Sequence, residues 1–493
     1  MFASVTSAAL VGVEPRPVRV EAHVSGGESQ QDRFNIVGLP DASIREARQR
    51  VQSAILSAGH SFPHRRVTVN LAPADLPKVG SAYDLPIALG VLAASGAVPQ
   101  SVTRVVALGE LALDGSVRPA RGGLAAGIVA GRRRLPCIVA SDGGREAALS
   151  GADVRLVTSL AHALAVGLGQ DAGIALPPPP EAGIVAPDLD MAAIRGQATA
   201  RRAIEIAAAG GHHILLVGPP GAGKTMLARA LPGILPDLTP AEALEVAQAH
   251  SAAGRPPSIG IRPPFRSPHH SATPAAILGG GSGVPVPGEL TLADRGVLFL
   301  DELAEFPAHL LDTLRQPVEE GWVHIARKGV SVAFPCRVQL VAATNPCPCG
   351  YLDDARTPCH CTERAVDRYR TRLSGPLLDR FDMRVMVPRV EAVELVGAGG
   401  EGSEVVRGRV SAARRLQASR GSLNRSLGRE ALDSLPWTRE AVRHLVDAMD
   451  RLALTARGWD RVRRTARTIA DLAGAEVAGG EHVLEALGLR RQL

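Results

Sequence analysis

The chain has 493 residues, of which 45% are hydrophobic, 21% charged and 3% aromatic. This is ordinary globular composition at a length of about three domains, which excludes a mostly disordered chain, a collagen and a small disulfide scaffold. Formal net charge is +6, and no uninterrupted apolar run approaches the ~20 residues of a membrane helix, so no membrane partner is expected.

With so few aromatics, the cores must be built from Ala, Val, Leu and Ile. The opening segment MFASVTSAALVGVEP is mildly apolar without a basic start, and reads as a first β-strand rather than a signal peptide. RRVTVNLAP and CIVAS read as strands bounded by turn residues. DASIREARQRVQSAILSAG reads as a helix that Asp41 would cap. Residues 1–172 are therefore expected to form a mixed α/β domain. The four prolines Pro177 to Pro180 are stiff and cannot donate hydrogen bonds, which marks 173–187 as a Pro-rich linker.

Over 188–390 the pattern becomes buried strands followed by helices, as in a parallel α/β sheet. HHILLVG, GVLFLDE and RVQLVAATN are its central strands. Residues 391–493 lack strand-like runs and are expected to form a C-terminal helical lid. From Glu401 onward there are 17 basic and 12 acidic residues. That excess suits a polyanionic partner, or equally a solvated Arg-rich helical face.

The stretch Gly218-Pro219-Pro220-Gly221-Ala222-Gly223-Lys224-Thr225 follows an apolar strand and precedes a helix. In that context G-x-x-x-x-G-K-T is a phosphate-binding loop. Its backbone N–H groups cradle phosphates at a helix N-terminus, Lys224 reaches the β/γ-phosphates and Thr225 binds Mg²⁺. The strand GVLFLDE ends in Asp301, placed to hold Mg²⁺, and Glu302, a candidate base for the attacking water. Asn345 closes the strand VAATN, where its amide could orient that water. ATP and Mg²⁺ are the expected ligands.

Six cysteines are present, and four lie within fifteen residues: Cys347, Cys349, Cys359 and Cys361. Clustered thiols in a reducing, cytoplasmic compartment suggest metal before disulfide. Four thiolates could surround a structural Zn²⁺ tetrahedrally. The C-x-C pairs are tighter than the usual C-x-x-C knuckle, so free thiols remain the other reading. His360, wedged between two cysteines, is not expected to be a ligand.

GPPGAGKT, VLFLDE, AATN and LLDRFD together resemble an AAA+ ATPase. FRSPHHSATPAAILGGG, PGELTLADRGVLFLDELAEF, SGPLLDRFD and ARTIADLAG resemble the magnesium-chelatase-like ComM/YifB family. The resemblance extends to FNIVGLPDASIREARQRV and NLAPADLPKVGSAYDLPIALG near the start. It implies a hexameric ring ATPase acting on single-stranded or branched DNA, as a helicase in branch migration of recombination intermediates. It also implies that Arg380 of LLDRFD is an arginine finger reaching the neighbouring subunit's nucleotide. Arg467 of RTARTIADL is implied as a nucleotide-sensing lid arginine, with Arg464 its competitor. The other reading is a protein-remodelling ATPase, similar to a magnesium-chelatase motor subunit, without DNA activity.

EGWVHIARKGVSVAFPCRVQL reads as two β-runs around the turn ARKG. It is similar to the pore hairpin of related ring helicases, with the cations Arg327 and Lys328 at its tip, placed to hold strand phosphates. The Gly/Pro-rich stretch 261–296 is expected to be a mobile excursion. In it Arg266, His269 and His270 could meet nucleic acid or a neighbouring subunit, and Phe265 could stack on a base.

PKVGSAYDLPIALG and LGELALDGSVRPARGGLAAG resemble the Ser–Lys proteolytic domain of Lon proteases, a relative of the ribosomal S5 second-domain fold. The lysine position after Gly122-Gly123-Leu124 is Ala125, and Ser81 is one residue out of register. The resemblance therefore implies a Lon-like domain without peptidase activity.

Overall fold

The computed structural model describes residues 1–28, 34–38, 42–76, 78, 80–176, 189–255, 260–281, 284–327, 330–352, 354–373, 375–396, 399–452 and 454–490. The expected cap Asp41, the Pro-rich run and Lys328 lie outside the described residues.

Alternating Val, Ala and Leu build a first sheet. β1 (Phe2–Val11) and β2 (Glu14–Glu28) form an antiparallel hairpin, in register from Phe2↔His23 to Val11↔Glu14. β3 (Phe34–Val37) and β4 (Arg65–Ala72) extend one side. β5 (Val106–Leu108) pairs parallel with β1 on the other. A short ribbon, β6 (Glu110–Leu111) and β7 (Val117–Arg118), follows. Beyond β5 the sheet continues with β8 (Cys137–Ala140) and β9 (Val154–Val157), giving the order β3-β4-β2-β1-β5-β8-β9. The helix Asp84–Ser95 is apolar on every side and is buried throughout, because it is packed between the sheet and neighbouring helices. Its one acid, Asp84, is matched by the Arg50 guanidinium at 2.6 Å.

The second sheet is entirely parallel. Its strands are β10 (Ile214–Val217), β11 (Phe265–Arg266), β14 (Val297–Leu300), β17 (Gln339–Thr344) and β18 (Met383–Met386), in the order β11-β14-β17-β10-β18. Two ribbons stand off it: β12 (Gly279–Gly280) with β13 (Val286–Pro287), and β15 (Trp322–Arg327) with β16 (Val330–Pro335). Near-continuous apolar strands are what a parallel sheet covered on both faces requires. Along β10, Ile214 and Leu216 face one core cluster, which includes the helices Ala198–Gly210 and Lys224–Ile234. Leu215 and Val217 face the other, with Leu310, Phe334 and Phe381.

The stretch expected as an excursion is partly core. β11 is an edge strand of the main sheet, and Ile277 and Leu290 are fully buried. Phe265 is half-buried and packs on Phe299 with ring centroids 6.0 Å apart, so one face of its ring is already taken.

After β18 the described residues contain no further strand; helices span Ser403–Ser419, Arg429–Ser434, Arg439–Leu452, Ala456–Leu472 and Gly480–Gly488. They dock on the helix Ala198–Gly210, where Gln417 donates to the Ala209 carbonyl at 3.0 Å. His212 Nε2 lies 2.7 Å from Thr468 Oγ1 at the same seam. The first sheet's layer also touches the second, since Leu124 and Ile128 pack on Ala247 and Ser251 bonds to Glu146. Gly12, in the β1–β2 turn, meets Val332 of β16 so closely that a Cβ would lie 2.6 Å from it.

Candidate nucleotide site, thiol cluster and hairpin

The phosphate loop leaves β10 at Val217 and enters the helix Lys224–Ile234. Gly218 passes against Val387, whose carbonyl oxygen would sit 2.1 Å from any Cβ there. Gly223 caps the helix at φ 88°, in the left-handed region that favours glycine. These two constraints explain why the loop is glycine-rich before any ligand is considered.

Lys224 is folded into this loop. Its Nζ donates to the Gly218 carbonyl at 2.6 Å, the Pro219 carbonyl at 2.9 Å and Asn345 Oδ1 at 3.1 Å. Burial lowers its pKa to about 8, against the opposing pull of the Asp301 and Glu302 carboxylates. Thr225 Oγ1 donates to Asp301 Oδ2 at 2.9 Å. Asp301 Oδ1 accepts the Glu302 N–H at 3.0 Å. Strand ends of β10, β14 and β17 thus bring Lys224, Thr225, Asp301, Glu302 and Asn345 to one edge, as their spacing predicts. A hydroxyl beside a carboxylate is a donor set that suits a hard, oxygen-seeking cation such as Mg²⁺.

Two members of this neighbourhood were not foreseen. Gln197, buried at φ 55°, donates its side-chain amide to the carbonyls of Ala222 and Pro388. It clamps the loop from a distance of 25 residues, and its only sequence signal is a polar amide just ahead of a helix. His270 Nδ1 lies 3.3 Å from Glu302 Oε2.

The four cysteines converge. Their sulfurs all lie within 4.8 Å of one another. Three separations are 3.4 Å (Cys347–Cys349), 3.7 Å (Cys347–Cys359) and 3.5 Å (Cys349–Cys359). Zinc–sulfur bonds of about 2.3 Å set tetrahedral edges of about 3.8 Å, so the set fits a zinc tetrathiolate. The Cys349 N–H also points at Cys361 Sγ, 3.4 Å away, as a donor to a thiolate would. This knuckle abuts the phosphate loop: a Cβ on Gly350 would lie 2.5 Å from Pro220.

Two arginines sit where the resemblance did not specify. Arg380 Nη1 is 2.6 Å from Glu319 Oε1, on the helix that leads into β15. Arg467 is buried, and its guanidinium bonds Asp471 Oδ1 at 2.8 and 3.0 Å and the carbonyls of Ala475 and Glu476 at 2.5 and 2.8 Å. In the free chain its guanidinium is thus engaged inside the C-terminal helices. Arg464 is likewise engaged, donating to Leu427 at 2.8 Å.

The predicted hairpin is present, in register from Trp322↔Pro335 to Arg327↔Val330. Val323, Val332 and Phe334 bury its base, which leaves the Arg327 end as the turn. In the first sheet's layer, Ala125 is buried and the Ser81 hydroxyl bonds the Glu110 carboxylate rather than an amine. No described helix is long and apolar enough to cross a membrane.

Comparison with known proteins agrees with this geometry. A family profile described as magnesium chelatase, subunit ChlI, matches residues 190–395. Two others, subunit ChlI of Mg-chelatase and its C-terminal part, match 20–142 and 400–490. The chain is 43% identical to an uncharacterized protein of Mycobacterium tuberculosis, covering 98% of each. It is 40% identical to the uncharacterized protein YifB of Escherichia coli, covering 98% of this chain and 96% of that one. It is also 40% identical to the competence protein ComM of Haemophilus influenzae, covering 99% and 97%. A rice magnesium-chelatase subunit ChlI is 31% identical over 22% of this chain and 21% of its own length. With full-length relatives at this identity and an AAA+ core matched across its parallel sheet, the chain belongs to the magnesium-chelatase-like ComM/YifB family.

Proposed function

We propose that this protein is an ATP-hydrolysing ring motor that moves on DNA, working as a helicase in branch migration of recombination intermediates. The observation that carries the reading is one sheet edge holding Lys224, Thr225, Asp301, Glu302 and Asn345, with the β15–β16 hairpin built between β14 and β17. A hairpin inserted between two nucleotide-site strands is placed to move as the site changes state.

In this reading Gly218, Pro219, Pro220, Gly221, Ala222 and Gly223 wrap the phosphates with backbone N–H groups. Lys224 exchanges its carbonyl partners for phosphate oxygens. Thr225 and Asp301 hold Mg²⁺, which neutralises charge on the triphosphate. Glu302 accepts the water's proton and Asn345 orients that water. Arg380 leaves Glu319 for the nucleotide of the next subunit in a homo-oligomer, a hexamer by family resemblance. Arg327 and Lys328 grip strand phosphates, so binding weakens steeply with salt.

Residues 1–172 form a Lon-like, S5-type domain without peptidase chemistry, supported by the buried Ala125 and the Ser81–Glu110 bond. Residues 173–187 are the linker, 188–390 the ATPase core and 391–493 the helical lid. The thiol cluster holds structural zinc, which suits the reducing cytoplasm. A second reading, a protein-remodelling ATPase without DNA activity, draws on the profiles named for a chelatase subunit.

Steady-state ATP hydrolysis with no DNA, single strand, duplex and a four-way junction, beside Lys224→Ala, separates the two. Stimulation greatest on the junction and absent in the variant supports the motor. Robust turnover indifferent to every DNA overturns it and favours a protein substrate.

A further inference from the structure

The nucleotide site occupies one end of the parallel sheet. At the opposite end, ahead of β10, β14 and β17, lies a cavity of about 470 Å³ walled by Gly211, Gly296 and Val338. The C-terminal helices close one side through Arg414, on the helix Ser403–Ser419, and Arg425, in the turn that follows it. Gly321, which leads into the β15–β16 hairpin, lines it as well. A molecule seated here would touch the sheet, the lid and the hairpin root together. The volume is that of a small-ligand site, ~300–1,000 Å³.

The walls are charged, and two of the charges are unmatched. Arg295 is neutralised by Glu242 at 2.5 Å and Glu245 at 2.8 Å, and Arg337 by Asp294 and Glu245, both at 2.7 Å. Asp237 pairs with Arg262 at 2.8 Å and Glu319 with Arg380 at 2.6 Å. The exposed Glu320 accepts from the Gln316 amide at 2.9 Å. Arg414 and Arg425 are half-buried, and among the described residues no carboxylate forms an ion pair with either. Arg414 donates through Nε and Nη2 to the Ala208 carbonyl alone, at 2.9 and 2.5 Å. Arg425 makes only long bonds to carbonyls, 3.2 Å to Val338, 3.3 Å to Val318 and 3.5 Å to Gly211. Burial and the charge of Arg425 lower the Arg414 pKa to about 10, against the pull of Glu242, so it stays charged at neutral pH.

Carbonyls orient a guanidinium but bring no full charge to it, and withdrawing an unmatched cation from water is costly. Guanidinium forks match the oxygens of phosphate. A phosphate monoester carries about −1.5 to −2 near neutral pH, which suits two cations, whereas one carboxylate answers only one. The carboxylates of Asp237, Glu242, Glu319 and Glu320 surround the same space and would repel a chain of phosphates, so the ligand is short. We propose that this cavity binds a small phosphate dianion, free or as the phosphate of a mononucleotide, through Arg414 and Arg425. The site is separate from the phosphate loop and does not depend on the motor reading.

The test is isothermal titration of the full chain carrying Lys224→Ala, which weakens the phosphate loop, with inorganic phosphate, AMP or succinate, beside the same chain with Arg425→Gln added. The expected result is saturation by phosphate or AMP at about one equivalent per chain, weakened at least about tenfold by Arg425→Gln. The tighter of the two identifies the source of the phosphate. No saturable binding of either, equal binding with and without Arg425→Gln, or succinate binding as tightly as phosphate overturns the proposal. Should Arg425→Gln fail to fold, phenylglyoxal labelling of the Lys224→Ala chain decides, with the modified arginines located by mass spectrometry. Phosphate or AMP should slow labelling of Arg414 and Arg425 but not of the exposed Arg415. Failure of Arg414 and Arg425 to react at all, or reaction that neither ligand slows, overturns the proposal.

Discussion

Changing pH between 7 and 9 should weaken nucleotide binding through one residue, Lys224. In the free chain its ammonium is buried against two carbonyls and the Asn345 amide oxygen, and burial brings its pKa to about 8. At pH 7 about nine-tenths of chains then carry the ammonium, at pH 8 about half and at pH 9 about one-tenth. A bound triphosphate brings negative charge to the same nitrogen and favours the charged form. Binding therefore takes up a proton wherever the free lysine has lost one, and affinity falls as pH rises. The fall from pH 7 to pH 9 is about tenfold, or about 1.4 kcal/mol. The assay is equilibrium titration of a fluorescent ATP analogue with excess Mg²⁺ across that range, beside Lys224→Arg. A guanidinium stays charged throughout, so the Arg variant reports every other pH effect, including that of the ligand. A wild-type profile parallel to the Arg profile would refute the reasoning, whatever the absolute affinities.

The thiol cluster should bring about one equivalent of zinc with each purified chain; Cys359→Ser should lower metal content by elemental analysis and hasten its release to a chromogenic chelator, and a metal-free chain from zinc-supplemented cells would count against the site. Asp382→Ala should cost ~3–5 kcal/mol in thermal or denaturant unfolding, because the buried carboxylate accepts the His213 N–H at 3.0 Å and faces Arg461 at 3.6 Å. Burial alone would raise the Asp382 carboxyl pKa, but His212 and the surrounding cations hold it well below the usual carboxylate range. Its contribution is thus complete above about pH 4 and is lost only as pH falls through the depressed value, so Asp382→Asn should unfold at a higher pH than wild type on acid titration. Arg380→Ala should lower ATP turnover by at least about a hundredfold. Glu319→Ala, which removes only the resting partner of Arg380, should leave turnover intact and shift unfolding by no more than about 1 kcal/mol; an equally deep loss of turnover would make the pair structural.

Much of the nucleotide site was legible because its determinants are local. A glycine-rich turn between an apolar strand and a helix specifies its own backbone path, so Gly218 to Thr225 could be placed from eight consecutive residues. Strands β10, β14 and β17 announced themselves as apolar runs, and their polar last residues necessarily fall at one edge of a parallel sheet. The hairpin was equally visible, since its two runs and turn are contiguous. The cysteines were legible as a cluster, although their sulfur separations could only come from the folded loop.

What tertiary structure alone decided depends on residues far apart in the chain. Arg467 lies in a helix whose sequence matches a family motif, yet its guanidinium turns to Asp471, Ala475 and Glu476 in the lid's own interior. Spacing along a helix does not say which partners a guanidinium finds in the folded chain. Phe265 and Arg266 looked available in a Gly/Pro-rich stretch, but β11 joins the sheet and commits them to Phe299 and Glu289. Gln197 on the phosphate loop, Glu319 on Arg380 and His270 on Glu302 are pairings across tens to hundreds of residues. Local motifs carry the parts of this site because backbone geometry is set by neighbouring residues. Which donors are spent and which remain for a ligand is settled only when strand order brings distant side chains within a few ångströms.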